Sequence, residues 1–302
     1  MHPHLRSSFL LVFFTLLFSC VRLGAQDQVA KPELLHILSH EDPEWPLIQA
    51  HLPDPLTASP SQLEMAADVL RARRFPADAL DYYSYALHRG ATDQAMLLNK
   101  MGVTELELQN ILQARAYFEH AIKLKKKNAD GWNNLGAVEY LERRYRNAIM
   151  DYSHAIKLDK KESSFHSNLG TAYFDTKDFD SARKEFEIAL RLDPDMFLRR
   201  RMAAGVTAHF LSPEDRARFN YEMARLYAKN GDEVNMLNSL QMASEGGFDV
   251  ASAMVRDTSL AQYRKDPRVL LLLANARALR TTHSAMAATA GPLSPLPAPL
   301  PE

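Results

Sequence analysis

Apolar and small residues recur along the middle of the chain at helical spacing. Trp132, Leu135 and Gly136 sit three and four residues apart, on one face of a helix. Tyr145, Ala148, Tyr152 and Ala155 hold the same spacing just beyond, and Leu141-Glu142-Arg143-Arg144 between them leaves room for a tight turn. Two antiparallel helices are predicted. The phrase Asn134-Leu135-Gly136 then returns as Asn168-Leu169-Gly170, thirty-four residues later. Gly102, Gly136 and Gly170 keep that step, as do Ala114, Ala148 and Ala182. So do the rings Phe118, Tyr152 and Phe186, followed by Ala121, Ala155 and Ala189. Three units follow at 95–128, 129–162 and 163–196, each a helix pair that cannot bury its apolar face alone.

The rhythm continues more weakly on both sides. A degenerate unit is expected over 59–94, where Ser59, Pro60 and Gln62 form a helix-start signature and Gly90 suits a carboxyl-terminal cap. A linking helix and a second degenerate unit are expected over 197–247, with Ser212-Pro213 starting a helix and Met236 where the pattern asks for alanine. Capping helices are expected over 248–280. Residues 26–58 hold five prolines and read as a lead-in with one short helix at about 32–39. Residues 281–302 hold another five and read as a disordered tail.

These positions resemble the tetratricopeptide repeat: two helices in 34 residues, with aromatic, leucine, glycine, alanine, aromatic and alanine at fixed places. The chain departs from that pattern locally. Leu98 and His166 stand where Trp132 does, and Glu105 and Glu139 occupy the place of Tyr173. The resemblance implies an all-α, right-handed superhelical solenoid of antiparallel helix pairs, with the first helix of each unit lining a concave groove. The candidate partner-binding strip is then Asn99, Lys100, Asn133, Asn134, Ser167 and Asn168, with Tyr140 and Phe174 about two turns further on. Side-chain amides both donate and accept, which suits capture of an extended peptide backbone. Relatives that hold chaperone carboxylate tails use a clamp of lysine, asparagine and arginine. Here Val103, Ser164 and Asn168 fall at three of its places and only Asn134 matches, so a co-chaperone role is not expected.

Charge adds one exclusion. Thirty-six basic against 37 acidic side chains leave a net charge of -1, without the basic stripe that nucleic acid requires. The first segment adds location. Arg6 precedes an apolar run at 9–18, too short to span a bilayer, and small residues follow, so residues 1–25 read as a secretory signal peptide. Cleavage after Ala25 is one route and lipidation of Cys20 the other; an uncleaved anchor is the third. All place the remainder outside the cytoplasm, periplasmic or extracellular. Cys20 is the one cysteine, so the folded part has no disulfide and no thiolate chemistry.

Catalytic signatures are absent: there is no P-loop, no dinucleotide fingerprint and no metalloprotease or hydrolase motif. His36 and His40, one helical turn apart, could hold a metal, but such a pair is more often plain helix surface. The expectation is an exported, non-catalytic scaffold without a cofactor, binding a protein or peptide segment. The alternatives are an envelope lipoprotein assisting envelope or pilus assembly, and an enzyme subunit with a metal at His36 and His40.

Overall fold

The computed structural model describes residues 32–197 and 212–289, with side chains over 36–197 and 212–278. The expected signal peptide with Cys20, most of the linking helix and the last part of the tail lie outside these residues. All described secondary structure is helical, and no described helix is long and apolar enough to cross a membrane. The chain divides into two compact units, at 1–51 and 52–302.

The first unit contains α1 (Pro32–Ser39) and α2 (Trp45–Gln49). Its aromatic side chains stack: the His36 and His40 rings lie 4.4 Å apart edge to face, and His40 stacks on Trp45 at 4.0 Å.

The second unit is a stack of helix pairs: α3 (Pro60–Ala72) with α4 (Pro76–His88), α5 (Gln94–Glu107) with α6 (Ile111–Leu124), α7 (Ala129–Leu141) with α8 (Tyr145–Leu158), and α9 (Ser163–Asp175) with α10 (Phe179–Leu192). A further pair follows as α11 (Pro213–Lys229) and α12 (Glu233–Glu245). Then come α13 (Val250–Arg256), a 3-10 turn (Ala261–Lys265) and α14 (Pro267–Thr289). Ser59 makes the anticipated capping box with Gln62, and Ser212 accepts from the Asp215 backbone N–H. The helix expected to end at 280 continues to Thr289. Residues 281–289 contain alanine, methionine and threonine but no proline, so nothing there stops a helix already begun.

The periodic glycines and rings are the packing joints. An added Cβ at Gly102 would lie 2.5 Å from the Phe118 ring, at Gly136 2.8 Å from Tyr152, and at Gly170 2.6 Å from Phe186. Those three rings are buried, so the two helices of a unit touch through the missing side chain. The outer pairs use other combinations. In α3 and α4 the corresponding positions are Ala67 and Tyr83; in α11 and α12 they are Ala224, Met236 and Leu240, which share one core cluster, and all five are buried. In that last pair glycine has grown to alanine and the facing ring has shrunk to leucine, while Met236 fills the space.

The turn inside each unit is also repeated. Arg74, Gln109, Arg143, Lys177 and Gly231 all have positive φ, between 59° and 74°. Each closes a helix with a six-to-one hydrogen bond from the next residue, such as Asn110 N–H to the Glu105 carbonyl at 2.8 Å and Arg144 N–H to the Glu139 carbonyl at 2.8 Å.

The odd residues of the pattern find local partners. Glu105 is buried and accepts from Asn110 Nδ2 at 2.8 Å. Glu139 is buried between Arg115 at 2.6 Å and Arg144 at 2.5 Å. Burial opposes its ionisation, but the two guanidinium groups outweigh this and hold its pKa below the usual carboxylate range. His166 takes over from the tryptophan. The Trp132 indole N–H donates to the Lys126 carbonyl at 3.2 Å, and His166 Nε2 lies 3.3 Å from the Lys160 carbonyl, the equivalent atom one unit on.

Candidate binding face

The first helices of successive units, α3, α5, α7 and α9, share one face of the array and are tied to each other by polar rungs. The middle of this face is a chain of carboxamides. Asn134 Nδ2 donates to Asn99 Oδ1 at 3.0 Å, Asn133 Nδ2 to Asn134 Oδ1 at 3.1 Å, and Asn168 Nδ2 to Asn133 Oδ1 at 2.9 Å. The ladder spans three helices and accounts for three donors. Each carboxamide has two N–H bonds and two acceptor lone pairs, so the four groups carry more capacity than the ladder uses.

Charged and phenolic groups flank the ladder. Lys100 Nζ reaches Glu64 at 2.8 Å and Asp68 at 2.6 Å. Burial disfavours its charge, but the two carboxylates prevail and raise its pKa. Asp68 also accepts from the Tyr83 hydroxyl at 2.6 Å. On the other side the Tyr140 hydroxyl donates to Asp175, and both groups have raised pKa values, chiefly through burial. Lys100 is therefore a saturated ion-pair member, not a cation waiting for an acidic partner.

Two of the expected strip residues do not reach this face. Ser167 and Phe174 are fully buried. Phe174 packs against Phe179 at 5.1 Å and Phe219 at 5.8 Å, in the core shared by the last units. Asn133 is mostly buried as well, reaching the ladder only through its amide. The half-buried Asn99, Asn134, Tyr140 and Asn168 remain, and the structure adds Asp175.

The correction has a geometric cause. Asn99 meets Asn134, Asn133 meets Asn168 and Tyr140 meets Asp175, each pair separated by 35 residues. Neighbouring first helices thus face one another one residue out of step with the 34-residue repeat. The strict repeat projects Tyr140 onto Phe174, whereas the offset leads to Asp175. A search of the sequence for complementary side chains 35 apart would have found all three rungs.

The His36 and His40 rings lie edge to face within the first unit, and a ring nitrogen of each lies within 4.8 Å of the other, close enough to share a metal ion.

Comparison with known proteins follows the same lines. A tetratricopeptide repeat model matches residues 99–159, and a second matches 163–196. No curated protein matches the chain. Among solved structures, a MamA fragment from Desulfovibrio magneticus RS-1 shares 15% identity, with 64% of this chain and 96% of that one covered, at a TM-score of 0.44. YrrB, described as a TPR protein with an unusual peptide-binding site, shares 18% identity over 71% of this chain and 97% of its own, at 0.41. A thermophilic TPR protein from Thermus thermophilus shares 18% over 66% and 96%, at 0.44.

Proposed function

Because the chain is a tetratricopeptide-repeat protein, with repeats matched over 99–159 and 163–196, we propose that it is an exported, non-catalytic interaction scaffold. It captures an extended, largely uncharged segment of a partner protein on the face formed by α5, α7 and α9. The observation that carries this reading is the carboxamide ladder Asn99–Asn134–Asn133–Asn168 across three successive helices. Amide groups in a row match the alternating N–H and C=O groups of an extended backbone. The flanking charges are matched within the chain: Lys100 by Glu64 and Asp68, and the Asp175 carboxylate by the Tyr140 hydroxyl. Such a face favours backbone contacts over recognition of a charged terminus.

Export rests on the amino-terminal segment: Arg6, the apolar run at 9–18 and the small residues before Gln26. Cleavage after Ala25 gives a soluble periplasmic or extracellular scaffold; lipidation of Cys20 gives an anchored one. Mass spectrometry of the mature protein distinguishes them. A chain starting at Gln26 removes the lipoprotein reading, and a diacylglyceryl mass on Cys20 removes the other.

The capture reading is tested by pull-down from an envelope extract with wild type and an Asn134→Ala/Asn168→Ala double variant. Both residues are half-buried, so helicity by circular dichroism should persist while partner recovery falls at least several-fold. Equal recovery by both proteins would remove the ladder from the binding site.

A further inference from the structure

The histidines of the first unit converge as metal ligands do. His36 lies in the last turn of α1 and His40 follows one residue after its end, so a four-residue step puts both rings on one side of the chain. Both residues are half-buried, their ring centroids are 4.4 Å apart, and a nitrogen of one ring is within 4.8 Å of a nitrogen of the other. Zinc holds imidazole nitrogens at about 2.0–2.1 Å, so a modest turn of the His36 ring closes the pair on one ion. The His40 ring is already fixed. It stacks at 4.0 Å, with 21° between the planes, on Trp45, which is itself buried.

The electrostatic setting favours a cation. The pair sits at the carboxyl end of α1, where the helix dipole presents partial negative charge. Residues 36–51 contain Glu41, Asp42 and Glu44 but no lysine or arginine. The donor chemistry then selects the ion. Two imidazoles suit zinc, copper(II) or nickel(II), whereas calcium and magnesium take oxygen ligands.

We propose that His36 and His40 form a divalent transition-metal site. The two imidazoles supply two ligands of a zinc-class ion, and water completes the coordination. The site is built within the first unit and owes nothing to the carboxamide ladder, so it stands apart from the capture of a partner segment.

The test uses the full mature chain, with zinc chloride as the probe in isothermal titration. Wild type should take up one zinc per chain. His36→Gln, which leaves the stack of His40 on Trp45 in place, should weaken uptake at least about tenfold, since even an outer partner of a metal ligand is worth about 10–100-fold. His40→Gln should weaken it as much. His51→Ala should bind as wild type does, because His51 is exposed and its Nδ1 lies 2.8 Å from the Leu47 carbonyl. Fluorescence gives an independent reading with copper(II) chloride, which quenches a nearby indole. The chain has two tryptophans, so Trp132→Phe leaves Trp45 as the reporter. Copper(II) should quench it, and adding His36→Gln should raise the copper(II) needed at least about tenfold. The proposal is overturned if wild type takes up no stoichiometric zinc, if His36→Gln and His40→Gln bind zinc as wild type does, or if His51→Ala loses as much affinity as they do. It is equally overturned if quenching of Trp45 is insensitive to His36→Gln.

Discussion

The glycine-to-ring joint gives the sharpest test of the packing. In Gly102→Ala the new Cβ would fall 2.5, 2.8 and 2.8 Å from three atoms of the Phe118 ring. All three contacts are with one ring, which is fully buried and cannot swing into solvent. Alanine is intrinsically better than glycine inside a helix by about 1 kcal/mol. Overpacking a filled interior costs about 1–3 kcal/mol. An approach of 2.5 Å places the cost in the upper part of that range, about 2–3 kcal/mol, so we expect net destabilisation of about 1–2 kcal/mol, although propensity alone predicts the opposite sign. The last unit suggests the compensation, since it pairs Ala224 with Leu240 at the equivalent positions. Phe118→Leu alone should destabilise by leaving space. The double variant should be more stable than the sum of the two single changes by about 1 kcal/mol, as expected for residues in contact. Urea denaturation of the four proteins, followed by circular dichroism, completes the cycle. If Gly102→Ala is as stable as wild type or more so, or if the cycle is additive, the joints are not tight and the account of the glycine period fails.

Three further outcomes are expected. Gln109→Gly should stabilise the array by about 0.5–1 kcal/mol, because Gln109 has φ 63° and left-handed backbone costs a non-glycine residue about 1–2 kcal/mol, offset in part by glycine's greater unfolded entropy; thermal melting checks it. Asp151 is pushed up to about 6, chiefly by burial and then by the nearby Glu139 charge. Its folded pKa lies above the unfolded one, so its carboxylate destabilises the fold above pH 6, and the penalty fades as pH falls from about 6 toward 3, below the unfolded pKa, where both states are protonated. Asp151→Asn should thus raise stability at pH 7 by about 1–2 kcal/mol, discounted for a half-exposed group, and by about nothing at pH 3; a gain independent of pH would refute the assignment. Gly136→Leu should disrupt the array, because its first side-chain atom alone would meet Tyr152 at 2.8 Å; an unchanged melting curve would contradict the joint.

Much of this architecture could be read from spacing, because the joints repeat. Gly102, Gly136 and Gly170 and their facing rings recur at a constant step, and only a stacked helix pair makes all of them necessary. The turns were less visible. Arg74, Gln109, Arg143 and Lys177 carry positive φ without being glycine, so no residue type announces the conformation. It is imposed by the hydrogen bonds that end each helix. The binding face was legible in kind but not in register. Asn99, Asn134 and Asn168 were found because the resemblance to the tetratricopeptide repeat assigns the groove to the first helix of each unit, where they lie. Phe174 was misplaced because the repeat counts in steps of 34, whereas neighbouring first helices meet at 35.

Site-directed photo-crosslinking tests the proposed capture face most directly. A photoreactive side chain is placed at Ala137, one turn from Asn133 and Asn134 on α7, and separately at Met150, which is 70% exposed on the second helix of the same unit. Irradiated in envelope extract, the protein labelled at position 137 should crosslink a discrete partner, and the Asn134→Ala/Asn168→Ala changes should remove that band. Position 150 should yield none. A partner captured from position 150 and not from 137 would place the interaction on the opposite face and contradict the account.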